Sequence, residues 1–182
     1  MTMKCAFHVH TNLSDGAMFP DEAIRIYADL GFGAIAVTDH EFLLRDSYYQ
    51  AIRRLEHYGM AVLIGVEADH VPWNYQHLLR IRGNSRTLHV LAHPASYYLE
   101  IGEINSYIKT APFKVDAVET TQAGRYTPYY DDPAVPVPKI ATDDAHLAGD
   151  CGKAWVEMEH THDPDRIIRA IKAGDFQNRF FR

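Results

Sequence analysis

The chain has few cysteines, no long apolar run and no excess of basic charge. Only two cysteines, Cys5 and Cys151, occur in 182 residues, and they are far apart. This count excludes a disulfide framework, so we expect two free thiols and a reducing compartment. No apolar stretch approaches the roughly 18 to 20 residues of a membrane span, and the N-terminus lacks the pattern of a secretory signal. We therefore expect a cytoplasmic protein with no membrane partner.

The acidic balance narrows the choice of partners. The formal net charge is -6, which argues against a broad contact with the backbone of a long nucleic acid but leaves room for a small anionic ligand. Length and an ordinary hydrophobic content of 47% suit one self-sufficient domain, residues 1–182. No sequence pattern indicates the oligomeric state. Histidine is the abundant residue, with 11 scattered copies that call for a chemical explanation.

Strand and helix patterns alternate along the chain. The opening predicts a βαβαβ order, with strands KCAFHV, GAIAVTDH and MAVLIGVE and helices FPDEAIRIYADLGF and RDSYYQAIRRLEHYG, the second ending at Gly59. Continuous apolar strands joined by helices indicate a parallel sheet covered on both faces, either a barrel or a doubly wound sheet. The fold class is therefore α/β.

The second half continues this order less regularly. It predicts a helix at EIGEINSYIKT and strands at HLLRI and TLHVLAHP around the turn RGNS, then at VDAVETT, PKIATDDAH and KAWVEME. A last helix is predicted with Asp163 as N-cap, Pro164 at its first position and Gly174 as its stop. The segment AGRYTPYYDDPAVPVP predicts a long loop near the functional site.

The chemically active side chains cluster at the ends of the predicted strands. In chain order they are His8, His10, Asp39, His40, Glu67, His93, Asp144 and His146, while His77 opens its strand. Because the carboxyl ends of parallel strands open onto one face, these residues are expected to converge. Taken singly, each has a plainer interpretation as a packing histidine, a turn or a helix cap. Their coincidence favours a metal site.

The first of these strands carries the most specific pattern. His8 and His10 are two residues apart, which sends both imidazoles to the same side of a strand. Imidazole together with carboxylate suits zinc, manganese or iron, and a carboxylate can bridge two ions. Glu67 is the best bridging candidate, since burying it without a metal or a fixed cation would be costly.

Several motifs resemble those of the PHP (polymerase and histidinol phosphatase) superfamily, and most closely its small stand-alone phosphoesterases. The resemblance runs from about residue 5 to the final AIKAGDF and is carried by FHVHTNLSDGAMFPDEAI, AIAVTDHE, GVE, HLLRI, VLAHP and TDDAH. It implies a distorted (β/α)7 barrel with a multinuclear centre of two to three divalent metal ions, Zn, Mn or Fe. A trinuclear centre is the expectation.

The resemblance also implies a ligand set. The first ion would be held by His8, His10, Glu67 and Asp144. Glu67 would also bind a second ion, together with His77 and His93. The third ion would be held by Asp15, His40 and His146. The region between Glu67 and His93 is compressed and contains four histidines. His77 is chosen there because it opens a strand, His70 is the alternative, and His89 is expected to face away.

The expected chemistry is hydrolysis of a phosphate ester by a hydroxide that bridges the ions. Asp39 and His40 are candidates to orient or protonate groups at the site, and Arg125 is a candidate phosphate contact. The substrate would be a small phosphorylated metabolite, a nucleotide or a short oligonucleotide. Two alternatives stay open: a metal-dependent amidohydrolase and an inactive metal-binding regulatory domain.

Overall fold

The computed structural model describes residues 1–181. Four α-helices occur there: α1 (Pro20–Asp29), α2 (Tyr48–Arg53), α3 (Ile101–Thr110) and α4 (Pro164–Ala173). The strands are β1 (Thr2–Val9), β2 (Phe32–Val37), β3 (Ala61–His70), β4 (Gln76–Arg82), β5 (Thr87–Leu91), β6 (Ala117–Glu119), β7 (Thr121–Gln122), β8 (Arg125–Tyr126), β9 (Lys139–Ile140), β10 (Ala154–Glu159) and β11 (Gln177–Phe180). None of these helices is both long and apolar enough to cross a bilayer.

Nine strands form one curled, mixed sheet in the order β11-β10-β1-β2-β3-β4-β5-β6-β9. Beyond β9 the chain returns to β1, where Ala145 accepts a hydrogen bond from the His10 backbone N–H at 2.9 Å and donates to the His8 carbonyl at 3.3 Å. Below this contact, the Asn178 side chain of β11 bonds the backbone of Lys139 and Ala141 at 2.9 and 2.8 Å. These contacts nearly close the sheet into the expected distorted α/β barrel.

The barrel interior is apolar below its open end. Its core consists of inward side chains of the strands and three isoleucines of α4, Ile167, Ile168 and Ile171, all fully buried. Helix α4 therefore closes one end of the barrel and leaves the opposite end for polar residues. The predicted signals of this helix are present, since the Asp163 side chain accepts from the Asp165 N–H and Gly174 adopts φ +77°.

Five local expectations need correction. Helix α2 ends at Arg53, not at Gly59, because a helix this short is set by packing of Tyr48 and Ile52 rather than by propensity. The sheet is mixed, since β4 runs antiparallel to both neighbours and β10 antiparallel to β1. The strand predicted at PKIATDDAH is regular only at Lys139–Ile140. Strand β11 was not expected, and the predicted long loop contains β8 of the small β7–β8 hairpin.

Candidate metal centre

A β-bulge aims the first two histidines. Ala6 pairs with Ile35 whereas Val9 pairs with Val37, so β1 carries one extra residue between these positions. Phe7 consequently packs in the barrel core and Val9 packs outside it with the residues of α1. His8, within the bulge, and His10, the residue after β1, both reach the open end of the barrel, where they are fully buried.

Four side-chain atoms at this end have the spacing of a metal coordination shell. His8 Nε2 lies 3.0 Å from His10 Nε2, 3.3 Å from Glu67 Oε2 and 3.4 Å from Asp144 Oδ1. His10 Nε2 lies 3.1 and 3.5 Å from the same two oxygens. Ligands at about 2.0–2.1 Å around a tetrahedral ion are separated by about 3.3–3.4 Å. His8, His10 and Glu67 thus form one group that could hold a divalent ion, and Asp144 lies beside both imidazoles.

Glu67 connects this group to a second one. Its Oε1 lies 2.8 Å from His77 Nδ1 and 2.8 Å from His93 Nε2, while Oε2 faces His8, His10 and, at 3.3 Å, His40. The carboxylate is 1% exposed. Burial by itself raises the pKa of Glu67, but attraction by His8 and contacts with His10 and His77 outweigh it and hold the pKa well below its ordinary value. Imidazole nitrogens therefore lie close to both oxygens of this carboxylate.

The third group centres on Asp15. Its Oδ2 lies 3.4 Å from His40 Nε2 and 3.3 Å from His146 Nε2, and its Oδ1 lies 3.2 Å from His10 Nδ1. The contact with His10 lowers the pKa of Asp15, and the charges of His10, His146 and His40 add to this. Burial lowers the pKa of His10, but contacts with Asp15 and Glu67 raise it to about 9. Desolvation lowers the pKa of His40.

The loop that carries Asp15 is held close to the end of β1. A Cβ atom on Gly16 would lie 2.7 Å from the carbonyl carbon of His10, so only glycine allows this approach. Asp39 anchors the same loop: its carboxylate accepts from the Thr11 N–H at 2.7 Å, the Thr11 hydroxyl at 2.8 Å and the Ser14 hydroxyl at 2.6 Å. Asp39 is fully buried behind the centre.

The buried nitrogens fit a metal better than a hydrogen-bond network. Nδ1 of His10, His40, His77 and His93 is buried and forms no properly directed hydrogen bond within residues 1–181. Carboxylate oxygens lie within 3.3 Å of the first three of these atoms. A crowded set of imidazole nitrogens and carboxylates suits a divalent ion, because each ligand atom binds the ion through a lone pair and no proton is needed between them. The clustered side chains can thus hold divalent metal ions.

The mouth of the centre is a cleft of about 360 Å³. Its wall includes Ser96 and Tyr97, which follow β5 and which the sequence patterns did not single out. The Tyr97 ring stacks on His93 with centroids 6.1 Å apart, and burial raises the pKa of its hydroxyl to about 12. Ser96 accepts a hydrogen bond from the Gln122 amide at 3.2 Å. In the sequence, Ser96 and Tyr97 follow closely after His93 and Pro94, and this position is the signal that could have identified them.

Other candidates lie away from the centre. His70 packs against Trp73 with ring centroids 4.3 Å apart, and His89 stacks on Phe113 at 4.8 Å on the outer side of the barrel. It is His77, not His70, that the structure places against Glu67. Arg125 is exposed on β8 and is not part of the wall of the cleft.

Sequence reasoning missed Glu119. This carboxylate, at the end of β6, is fully buried and accepts from His8 Nδ1 at 2.9 Å, from the His93 N–H at 2.7 Å and from the Thr142 hydroxyl at 2.7 Å. Burial lowers the pKa of His8, but Glu119 first, and then Glu67 and Asp144, raise it well above its ordinary value. The available signal was a carboxylate that follows an apolar strand, in VDAVETT.

Comparison with solved structures finds this fold elsewhere. A two-domain protein from Bacteroides vulgatus, described as containing a predicted PHP-like metal-dependent phosphoesterase, superposes with a TM-score of 0.74 at 17% identity, over 99% of this chain and 65% of that one. PsfC from Pseudomonas syringae also gives 0.74, at 14% identity, over 99% and 92% of the two chains. At these identities the likeness concerns the fold alone.

Comparison of sequences identifies the family. An uncharacterized protein of Methanocaldococcus jannaschii, MJ1295, is 35% identical over 79 residues, which are 38% of this chain and 35% of that protein. This chain thus spans about a third of that relative and about two thirds of the Bacteroides protein. The model of the PHP-associated family matches residues 135–176. The PHP domain model matches residues 6–155, and the chain therefore belongs to the PHP domain family.

Proposed function

We propose that this protein is a metal-dependent phosphoesterase that hydrolyses phosphate esters at a centre of two to three divalent ions. The observation that carries the proposal is Glu67, a buried carboxylate with five imidazole nitrogens within 3.3 Å, two on one oxygen and three on the other. Such a carboxylate is suited to join two ions. Family membership and the description of the Bacteroides relative support the same reaction class.

Each ion has a proposed set of holding residues. The first set is His8, His10, Glu67 and Asp144; the second is Glu67, His77 and His93; the third is Asp15, His40 and His146. Zinc, manganese or iron suits these nitrogen and oxygen ligands. When bound, such ions supply Lewis-acid activation of water and neutralise charge on a phosphate.

The protein's own groups would prepare this chemistry. Glu67 would contribute one oxygen to each of two ions, and Asp39 positions Asp15 by holding the backbone and hydroxyls of its loop. His40 is 12% exposed at the mouth and belongs to the third set of holding residues, so the departing ester oxygen would take its proton from water that enters the cleft. Arg125, on its exposed hairpin, stays the proposed contact for the phosphate of the substrate.

The substrate class follows from the shape and charge of the mouth. A cleft of about 360 Å³ has the size of a small-molecule site, and the acidic chain offers no broad basic surface. We propose a small phosphorylated metabolite, a nucleotide or a short oligonucleotide. The Tyr97 ring beside His93 gives the cleft one flat apolar side.

The test replaces the shared carboxylate. Glu67→Gln should lower the content of bound metal by two ions per chain and reduce hydrolysis of phosphomonoesters by at least about a hundredfold, because a neutral amide neither bridges ions nor balances their charge. Metal content is measured by elemental analysis of purified protein, and activity with a panel of phosphate esters and amides.

Glu41→Gln is the matched control, because Glu41 is an exposed carboxylate that pairs with Arg80 outside the proposed ligand sets. It should keep both metal and activity. Loss of a single ion from Glu67→Gln would contradict the bridging role. Cleavage of amides but not phosphate esters by wild-type protein, or no turnover of either, would contradict the reaction class.

A further inference from the structure

A second cavity lies outside the barrel, away from the candidate metal centre. It occupies about 110 Å³ between the end of α2, the outer face of β3 and the turn that follows β4. Val62 and Ile64 form its apolar floor, and Pro164 of α4 borders it. No residue of the proposed metal sets contributes to this wall, so the cavity is a separate feature of the fold.

Three of the side chains that line this cavity carry nitrogen donors. Arg53, His57 and Arg82 all line it, together with the backbone of Gly83 and Asn84. Arg82 holds its guanidinium carbon 4.9 Å from the centre of the Tyr49 ring, which fixes the charge at the rim. The arrangement brings two permanent positive charges and one imidazole to the same small space.

Within residues 1–181 none of these three side chains has a carboxylate partner; Arg53 and Arg82 are exposed to water and His57 is half-buried. Among the described residues, the arginines that pair with carboxylates are Arg25, Arg80 and Arg179, not Arg53 or Arg82. Nε2 of His57 is buried and has no hydrogen-bond partner within residues 1–181. A buried polar atom without a partner costs free energy, so a ligand able to accept its hydrogen bond would be stabilised here.

Asp165, a carboxylate next to the cavity, already accepts hydrogen bonds from other groups of the protein. Asp165, which follows Pro164, accepts hydrogen bonds from the Ser85 N–H and hydroxyl and from the Arg86 N–H. Its charge is therefore directed into the turn after β4 rather than to Arg53 or Arg82. In a chain of net charge -6, a concave surface with unpaired arginines is a local exception that favours an anion.

We propose that this cavity is a binding site for a small tetrahedral oxyanion, with inorganic phosphate as its ligand. Arg82 and Arg53 would each contact the anion, and His57, in the tautomer with its proton on Nε2, would donate a further hydrogen bond. The volume accepts a phosphate group and excludes a whole nucleotide. This inference is independent of the proposed hydrolysis, since it uses none of the metal-centre residues.

The experiment follows phosphate binding at His57 itself. In isotope-labelled, zinc-loaded protein, inorganic phosphate should shift the His57 ring resonances in a saturable way, and His57→Gln provides their assignment. Arg82→Gln and Arg53→Gln should each weaken this response about tenfold or more, because each removes a charged hydrogen bond. Reading the His57 signal separates this site from any phosphate bound at the metal centre.

Arg54→Gln is the matched control, since Arg54 follows Arg53 in the chain but does not line the cavity. It should bind phosphate as wild type does, and circular dichroism verifies that all variants are folded. A His57 signal that does not respond to phosphate would overturn the proposal. A response that is unchanged in both Arg53→Gln and Arg82→Gln, or equally weakened in Arg54→Gln, would overturn it as well.

Discussion

Glu119 controls the orientation of one proposed metal ligand. Its Oε1 accepts from His8 Nδ1 at 2.9 Å, so this nitrogen carries a ring proton and Nε2 is the atom that faces Glu67 and Asp144 and would bind an ion. The other oxygen of Glu119 accepts from the backbone N–H of His93 at 2.7 Å. A single buried carboxylate therefore positions side chains from two of the proposed ion sites.

Replacing Glu119 with glutamine should weaken metal binding without unfolding the protein. The carboxylate accepts from His8, His93 and Thr142, and an amide must turn its NH2 group toward at least one of these donors. Affinity for zinc or manganese should fall about 10- to 100-fold, as measured by titration calorimetry. Thr142→Val, which removes one donor and leaves both histidine contacts, should have a smaller effect. Unchanged affinity in Glu119→Gln would refute the positioning role.

Most of the site residues that could be predicted from the sequence share one property: each is an ionisable side chain at the end of an apolar strand. Two histidines at the end of an apolar strand, or Glu67 after MAVLIGV, are costly unless they bind something. Glu119 occupies a comparable place in VDAVETT, but two of its three partners are a backbone N–H and a threonine hydroxyl, which no side-chain pattern reveals. The choice of His77 over His70 likewise depends on the β3–β4 register, in which His77 pairs with Asp69.

At the scale of elements, α4 is joined to the barrel by an ion pair between a partly exposed lysine and a buried aspartate. Lys172 Nζ lies 2.9 Å from Asp116 Oδ2, and the Asp116 side chain is fully buried. The same oxygen accepts from the His89 N–H at 3.1 Å, which ties the segment before β6 to β5. The three isoleucines of α4 supply the apolar contact, and Lys172 neutralises the carboxylate beside it.

Lys172→Met should destabilise the fold by about 2 kcal/mol, because it leaves a buried carboxylate without its counter-ion while keeping the aliphatic contact. Chemical denaturation followed by circular dichroism measures the free energy of unfolding. The double variant Lys172→Met with Asp116→Asn should recover part of the loss, since no unpaired charge remains. If the double variant loses as much stability as the two single variants combined, the charge pairing is not the cause.

Helix signals were predictable where local chemistry sets them. The ends of α4 follow from Asp163, Pro164 and Gly174, whose backbone preferences hold in any surroundings. The regular strand at Lys139 and Ile140 is shorter than its pattern because the chain then bonds through side chains and single bridges. Strand β11 was not predictable, since QNRF lacks an apolar face and is defined by pairing with β10.

The whole molecule explains why ligands so distant in sequence meet. Strands β1 to β6, β9 and the segment beyond it form one ring, which the Ala145 bridge to β1 closes at the open end. His8 and Asp144 are 136 positions apart, yet this bridge brings Oδ1 and Nε2 to 3.4 Å. Sequence could predict the barrel class from alternation, but a one-residue bulge and the ring closure set these distances.

This dependence predicts that metal removal weakens the entire fold. The proposed ligands converge only when the ring is closed, so ions bind the folded state and stabilise it by mass action, about 4 kcal/mol when free metal exceeds its dissociation constant a thousandfold. For a chain of this size that corresponds to a loss of roughly 10 °C in melting temperature on chelation. Scanning calorimetry with and without chelator measures it, and added zinc or manganese should restore the original value. The melting temperature of Glu67→Gln should change far less on chelation, because this variant holds fewer ions. Equal melting temperatures for wild-type protein with and without chelator would show that bound metal does not stabilise the folded barrel.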